Sequence, residues 1–287
     1  MEVKAHMTSV LGFAPSLVAA ALADALSARP STGAPVLLAV SGLQGSGKST
    51  LAAQIAQAAR EAGLAAATLS LDDVYLTAAA RRRLATQVHP LLATRGPPGT
   101  HDLALAADTL DAVAAGRPLR LPRFDKLADD RLPESDWSRV DAPLDLLVME
   151  GWCLGTPAED AAALVAPLNR LEREEDSAGR WRGYCNDALS EHYSVLWRRF
   201  DRLWLLQAPD FAIVAQWRWE QEQALQAAAP GRAGMDRVAL ERFLQHYERV
   251  SRQALRTLPA LADRVIALDE QRRPQALQPP PSEKSPL

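Results

Sequence analysis

The sequence predicts an α/β fold in three layers, α/β/α, with a mainly parallel sheet. Two observations predict it. Short apolar runs recur at Val36–Val40, Ala66–Leu71, Leu144–Met149, Arg202–Gln207 and Arg264–Leu268, each of a length and composition that suits a buried strand. Between them lie stretches that read as helices, and strands alternating with helices call for parallel pairing with both sheet faces covered. The helices are expected at Pro15–Ala28, Lys48–Ala62 closed by Gly63, Asp102–Ala115 closed by Gly116, Ala188–Phe200, Phe211–Ala228 and Asp236–Arg256. Leu119–Phe124 reads as one more short strand. Arg81–Thr100 carries Pro90, Pro97, Pro98, Gly96 and Gly99 and reads mostly as loop, and Leu127–Val140 is polar and irregular.

The chain has 287 residues, 48% of them hydrophobic and 23% charged. That suits one domain with elaborations. We expect a single domain over 1–274, with a helical extension at 1–30 and a helical lid at 211–256. The Pro- and Ser-rich stretch 275–287 is expected to be a disordered tail. A formal charge of −3, from 32 basic and 35 acidic residues, gives no reason to expect nucleic acid or a membrane surface as partner. No run approaches the roughly 20 apolar residues of a membrane-spanning helix. Val10–Ala28 faintly resembles a secretory leader, but Pro15 and Asp24 interrupt it. Cys153 and Cys185 make no disulfide framework, so reduced thiols and a cytoplasmic location are expected. The sequence carries no signal of oligomeric state.

Gly42-Leu43-Gln44-Gly45-Ser46-Gly47-Lys48-Ser49 fits G-x-x-x-x-G-K-[ST] in full, after an expected strand and at the start of an expected helix. Glycines let the backbone wrap phosphate oxygens, and successive N–H groups at a helix start point at the anion. Lys48 would reach the outer phosphates of ATP and Ser49 would ligate Mg²⁺. The fold is therefore expected to be of the P-loop NTPase type. In open α/β sheets ligands sit beyond the carboxyl ends of the strands. Three such ends carry this loop, Asp72-Asp73 and Glu150. Glu150 stands where this fold usually keeps a second metal anchor. Asp72 or Asp73 could take a proton from an acceptor hydroxyl, or the pair could cap a helix starting near Thr77. No N-K-x-D motif of a GTPase is present. The set reads as a kinase for a small molecule, with a non-catalytic ATP-binding protein as the rival.

A small-acid acceptor needs cations near the γ-phosphate. Arg95 and His101 sit in R-G-P-P-G-T-H-D (95–102), and Arg123, Lys126 and Arg131 lie in the next irregular segments. His101-Asp102 could also only open a helix, with Thr100 as cap. Arg218, in W-R-W-E-Q-E (217–222), could reach the phosphates from a lid formed by two helices that break near Pro230–Gly234.

These residues carry a resemblance. S-G-L-Q-G-S-G-K-S-T (41–50), L-D-D-V-Y-L-T (71–77), R-G-P-P-G-T-H-D (95–102), P-R-F-D-K (122–126), M-E-G-W (149–152), W-R-W-E-Q-E (217–222) and R-V-I-A-L-D (264–269) run in this order. The chain resembles the D-glycerate 3-kinases of plants and fungi and their bacterial relatives, which belong with uridine kinase, pantothenate kinase and phosphoribulokinase. The resemblance implies transfer of phosphate from ATP to glycerate or a similar acid, with other small acceptors as alternatives. It implies that Asp72 is the catalytic base, with Asp73 beside it as a substitute, and that Glu150 lies near magnesium. It places Gly42, Gln44, Gly45, Ser46, Gly47, Lys48, Ser49 and Thr50 on the nucleotide. Asp73, Tyr75, Arg95, His101, Asp102, Lys126 and Arg131 fall on the acceptor, and Arg218 in the lid. The chain departs from the family at 124–131, which is shorter and lacks the usual glycines.

Overall fold

The computed structural model describes residues 12–141, 143–228 and 234–278. Its centre is a six-stranded sheet: β1 (Val36–Gly42), β2 (Ala66–Ser70), β3 (Leu146–Gly151), β4 (Arg202–Gln207), β5 (Arg264–Leu268) and β6 (Pro274–Gln278). The spatial order is β6-β5-β4-β1-β3-β2. Every pair is parallel except β6 on β5, which is antiparallel. All residues of β1 and β3 are buried. Side chains alternate between faces along a strand, so this pattern requires cover on both sides.

Helices supply that cover. α1 (Pro15–Ser27) packs on α2 (Lys48–Glu61), and α2 packs on β2 and β3. The remaining long elements are α3 (Ala78–Gln87), α4 (Leu103–Ala114), α5 (Arg170–Glu175), α6 (Arg180–Ala188), α7 (Ser194–Trp197), α8 (Ala212–Ala228) and α9 (Arg237–Leu261). α9 lies across β4 and against α8. A π-helical turn at Leu189–Tyr193 joins α6 to α7, so the helix expected at Ala188–Phe200 begins eight residues earlier, at Arg180.

Three expectations are corrected. The segment 81–100 is not mostly loop: α3 occupies its first part, with Thr77 Oγ1 accepting from Ala80 N to cap it. The polar stretch 127–140 is ordered into two ribbons, Phe124–Asp125 with Asp130–Arg131 and Leu119–Leu121 with Ser138–Val140. Polar side chains suit such ribbons because their backbones pair locally with little burial. The tail expected from 275 contributes β6, an edge strand added antiparallel to β5. Residues 279–287, and 229–233 at the expected break between the lid helices, lie outside the described residues.

A satellite core forms around Leu91, Leu92, Leu171, Trp181 and Cys185. It is closed by an ion pair in which Arg182 is 3% and Asp176 1% exposed. Asp176 also accepts from the backbone N–H groups of Trp181 and Arg182. Removing the cation leaves a buried carboxylate without its charge partner, a loss of about 3–5 kcal/mol. Arg182→Met should therefore lower the unfolding free energy by about 3 kcal/mol in urea titrations, with the satellite core unfolding first in hydrogen exchange.

Candidate active site

The parallel register sets the site. Ser70 of β2 and Val40 of β1 both stand level with Glu150 of β3. Two residues further along each chain come Asp72 and Gly42, so the phosphate loop, the acid turn and Glu150 leave the sheet side by side. The loop 43–47 then feeds α2. Gly45 and Gly47 hold φ of 85° and 92°, which L side chains rarely adopt. A Cβ on Gly45 would sit 2.7 Å from Trp217 Cβ. The loop backbone is thus pressed onto α8, where Trp217 is fixed by donating to the Glu270 carbonyl at 2.7 Å.

At the start of α2, Ser49 Oγ donates to Glu150 Oε1 at 2.9 Å, and Lys48 Nζ lies 3.9 Å from Glu150 Oε2. Glu150 Oε2, Ser46 Oγ and both amide atoms of Gln44 are buried without hydrogen-bond partners. Buried polar groups are rarely left this way, and here they cluster in or beside a loop built for an anion. Thr50, like Ser49, also lines the open groove between α1 and α2.

Leu71–Val74 is a 3₁₀ turn, with Ser70 Oγ accepting from Asp72 N. The turn sends its two acids apart. Asp72 Oδ1 accepts from the Tyr75 hydroxyl at 2.7 Å and Oδ2 from Lys126 Nζ at 2.6 Å. Burial alone would raise this carboxyl, but the charges of Lys126 and Lys48 and the two hydrogen bonds outweigh it and hold it well below the usual range. Asp73 is occupied by Arg123 Nη1 at 2.8 Å and Phe124 N at 3.2 Å, and burial raises it. Neither acid caps α3. Asp73 pins the ribbon, while Asp72 faces Lys48 and Lys126.

The loop 95–102 is tied to the same turn. Leu76 N donates to the Thr100 carbonyl and Asp102 N to the Val74 carbonyl, so Tyr75 and His101 stack with centroids 4.5 Å apart. Gly99 N donates to the Tyr193 hydroxyl at 3.0 Å, and that hydroxyl lies 2.5 Å from His101 Nδ1. Donation from the phenol to Nδ1 completes the chain and leaves the hydrogen on Nε2, which is buried without a partner. Burial pulls the His101 imidazole down to about 3. This corrects the expectation of a cation there: His101 is neutral and offers only a hydrogen bond.

The other acceptor-side residues divide. Asp102 caps α4 through Leu105 N and pairs with Arg131 Nη2 at 2.8 Å. Arg131 also donates to the Tyr75 carbonyl. Arg95 is bound to Asp129, which Arg81 pairs from the other side. Asp129 takes a φ of 53° in the hairpin, the left-handed conformation for which glycine is usually kept. On α8, Arg218 donates to Gln221 at 2.8 Å, and its Nε is buried without a partner.

Tyr247 had no signal in the sequence, where it is one apolar position in a long helix. Its hydroxyl donates to the Arg95 carbonyl at 3.0 Å, and a Cβ on Gly96 would overlap that hydroxyl. Burial and the nearby Asp72 charge raise the phenol. Tyr247 therefore ties α9 to the 95–102 loop.

No family model matches the chain. The chloroplastic D-glycerate 3-kinase of Arabidopsis thaliana is 31% identical over 259 residues, which cover 84% of this chain and 54% of the plant protein. A kinase of Schizosaccharomyces pombe named mug58 and described as uncharacterized is 33% identical over 226 residues, covering 75% of this chain and 79% of its own. The chain belongs to the D-glycerate 3-kinase family of P-loop kinases. It spans about half the length of the plant D-glycerate 3-kinase. The D-glycerate 3-kinase from Cryptococcus neoformans shares its fold, with a TM-score of 0.73 and 24% identity over 92% of this chain and 97% of that one. The short hairpin 124–131 is closed with Asp129 in the left-handed conformation. Asp125 Oδ1 there accepts from Leu127 N and Ala128 N.

A histidine that stays neutral when folded but protonates when unfolded costs stability in acid. The unfolded chain binds the extra proton between its ordinary 6.5 and the folded value of about 3, so stability falls as pH drops through that window. His101→Gln should show a smaller loss of urea midpoint than the parent chain between about pH 7 and about pH 4.5.

Proposed function

We propose that the chain is an ATP-dependent kinase that phosphorylates the 3-hydroxyl of D-glycerate, yielding 3-phosphoglycerate and ADP. The observation that carries this reading is the placement of Asp72: an ionised carboxylate between Tyr75 and Lys126, beside the lysine of the phosphate loop. Family membership supports the acceptor class.

Ser49 and Glu150 suit Mg²⁺, since both present hard oxygen donors and Glu150 Oε2 lacks a hydrogen-bond partner. Bound there, the ion would offset charge on the phosphates of ATP. The chain's own groups do the rest. Backbone N–H groups of loop 42–49 hold the phosphates, and Lys48 adds a fixed charge. Glycerate enters between the 95–102 loop and the 124–131 hairpin. Its carboxylate meets Lys126, and His101 Nε2 offers a hydrogen bond. Asp72 orients the attacking hydroxyl and accepts its hydrogen as the oxygen–phosphorus bond forms. In a loose transition state the hydroxyl proton leaves late and positioning does most of the work. Arg218 approaches from the lid to share the developing charge.

A cytoplasmic place fits two buried, unpaired cysteines, and among the described residues no helix is long and apolar enough to cross a membrane. The function is checked by an ADP-release assay over D-glycerate, uridine, pantothenate and a sugar acid. D-glycerate should give the highest kcat/KM. Asp72→Asn should lower kcat by about 10²–10⁴-fold with ATP affinity unchanged. Near-normal turnover in that variant removes Asp72 from the role, and preference for another acceptor removes glycerate.

A further inference from the structure

The cations around the acceptor side are unequally committed. Arg123 is tied to Asp73, Arg131 to Asp102 and the Tyr75 carbonyl, and Arg95 to Asp129. The acids in these pairs hold the ribbon, the start of α4 and the hairpin in place. Arg218 bonds Gln221 on its own helix. Lys126 differs in both partner and setting. It pairs with Asp72, and its side chain is 58% exposed against 28% for Asp72. The acid is fixed: its backbone N–H is held by Ser70 and its Oδ1 by Tyr75. The hairpin carrying Lys126 is anchored through Phe124 N on Asp73 and through Asp130 Oδ1, which accepts from Ala78 N. The lysine is the more exposed partner and makes one contact with the acid, and exposed single-contact ion pairs are weak and readily exchanged.

Resting on the proposed function, we propose that Lys126 is an acceptor-sensing counterion. It covers Asp72 while the site lacks an acid, and it passes to the acceptor carboxylate on binding. That exchange frees Asp72 Oδ2 for the hydroxyl.

The proton balance is simple. The hydroxyl hydrogen moves to Asp72 Oδ2, its oxygen bonds to the γ-phosphorus, and the bond to the ADP oxygen breaks. An acceptor with the same hydroxyl and no carboxylate leaves Lys126 in place, so Asp72 stays a poorer base. The structure thus links selection for an acid to turnover as well as to affinity. Groups that act on the Asp72 charge from the packed elements are Lys48, Tyr75, Asp73, His101, Cys153 and Tyr247. Of the two cations, Lys48 is 15% exposed at the start of α2, whereas Lys126 is 58% exposed on the hairpin.

The test compares full-length parent and Lys126→Met proteins with D-glycerate and with glycerol, its neutral analogue. Parent enzyme should turn over glycerol far more slowly than glycerate. In Lys126→Met, the glycerate KM should rise and the glycerol kcat should rise as well, each by about tenfold, the change that one pKa unit represents. The acid limb of kcat/KM for glycerol should move to higher pH, because Asp72 has lost its counterion. A merely structural or plain binding role for Lys126 predicts a fall or no change in glycerol turnover and an unmoved acid limb, and either result overturns the exchange. Parent enzyme that phosphorylates neutral acceptors and not glycerate overturns the proposed function itself, and with it the ligand that Lys126 would sense.

Discussion

The site depends on one constraint, the parallel register of three strands. β3 lies between β1 and β2 with Glu150 level with both Val40 and Ser70. Because of that register, Ser49 at the start of α2 can reach Glu150 across the strand ends. A slip of one residue would turn every side chain of β3 to the opposite face, taking Glu150 away from the loop. The burial of all of β1 and β3 prevents the slip, since each residue is fitted against a helical layer. The fold's hydrophobic core thus fixes the site's polar geometry.

The acceptor side is built on another principle. It has little regular structure, so its shape is held by charge. Asp73, Asp102 and Asp129 each bind an arginine from a neighbouring segment, and Tyr247 joins α9 to the 95–102 loop. These pairs use up charges that a sequence reader would assign to substrate. Burial removes another, by keeping His101 neutral. Lys126, paired with Asp72, is the more exposed partner of its ion pair.

This division explains what the sequence revealed. The five parallel strands were legible because a doubly covered strand is written as a local apolar run, and Arg202–Gln207 and Arg264–Leu268 have the bounds expected. The phosphate loop was legible because its glycines and lysine are contiguous. Asp72 and Asp73 could not be told apart, because the difference lies in Arg123 and Lys126, some fifty positions away. Tyr247 was invisible for the same reason: its partner is a carbonyl at Arg95, and a helix-interior tyrosine reads as core. The edge strand β6 was missed because proline-rich composition marks a tail, although Pro is tolerated on an edge. The strand at Leu119–Leu121 lies within the one expected at Leu119–Phe124, but the partners at Asp130–Arg131 and Ser138–Val140 were missed because they are only two or three residues long.

In the proposed reaction the strand ends bring a nucleotide's γ-phosphate to one hydroxyl of a small acid held beside Asp72. The most direct measurement is the identity of the product. Phosphorus and carbon NMR of a reaction with ATP, Mg²⁺ and ¹³C-labelled D-glycerate should show 3-phosphoglycerate forming in step with ADP. Free phosphate in place of a phosphoglycerate, or phosphate on the 2-hydroxyl, would contradict the account.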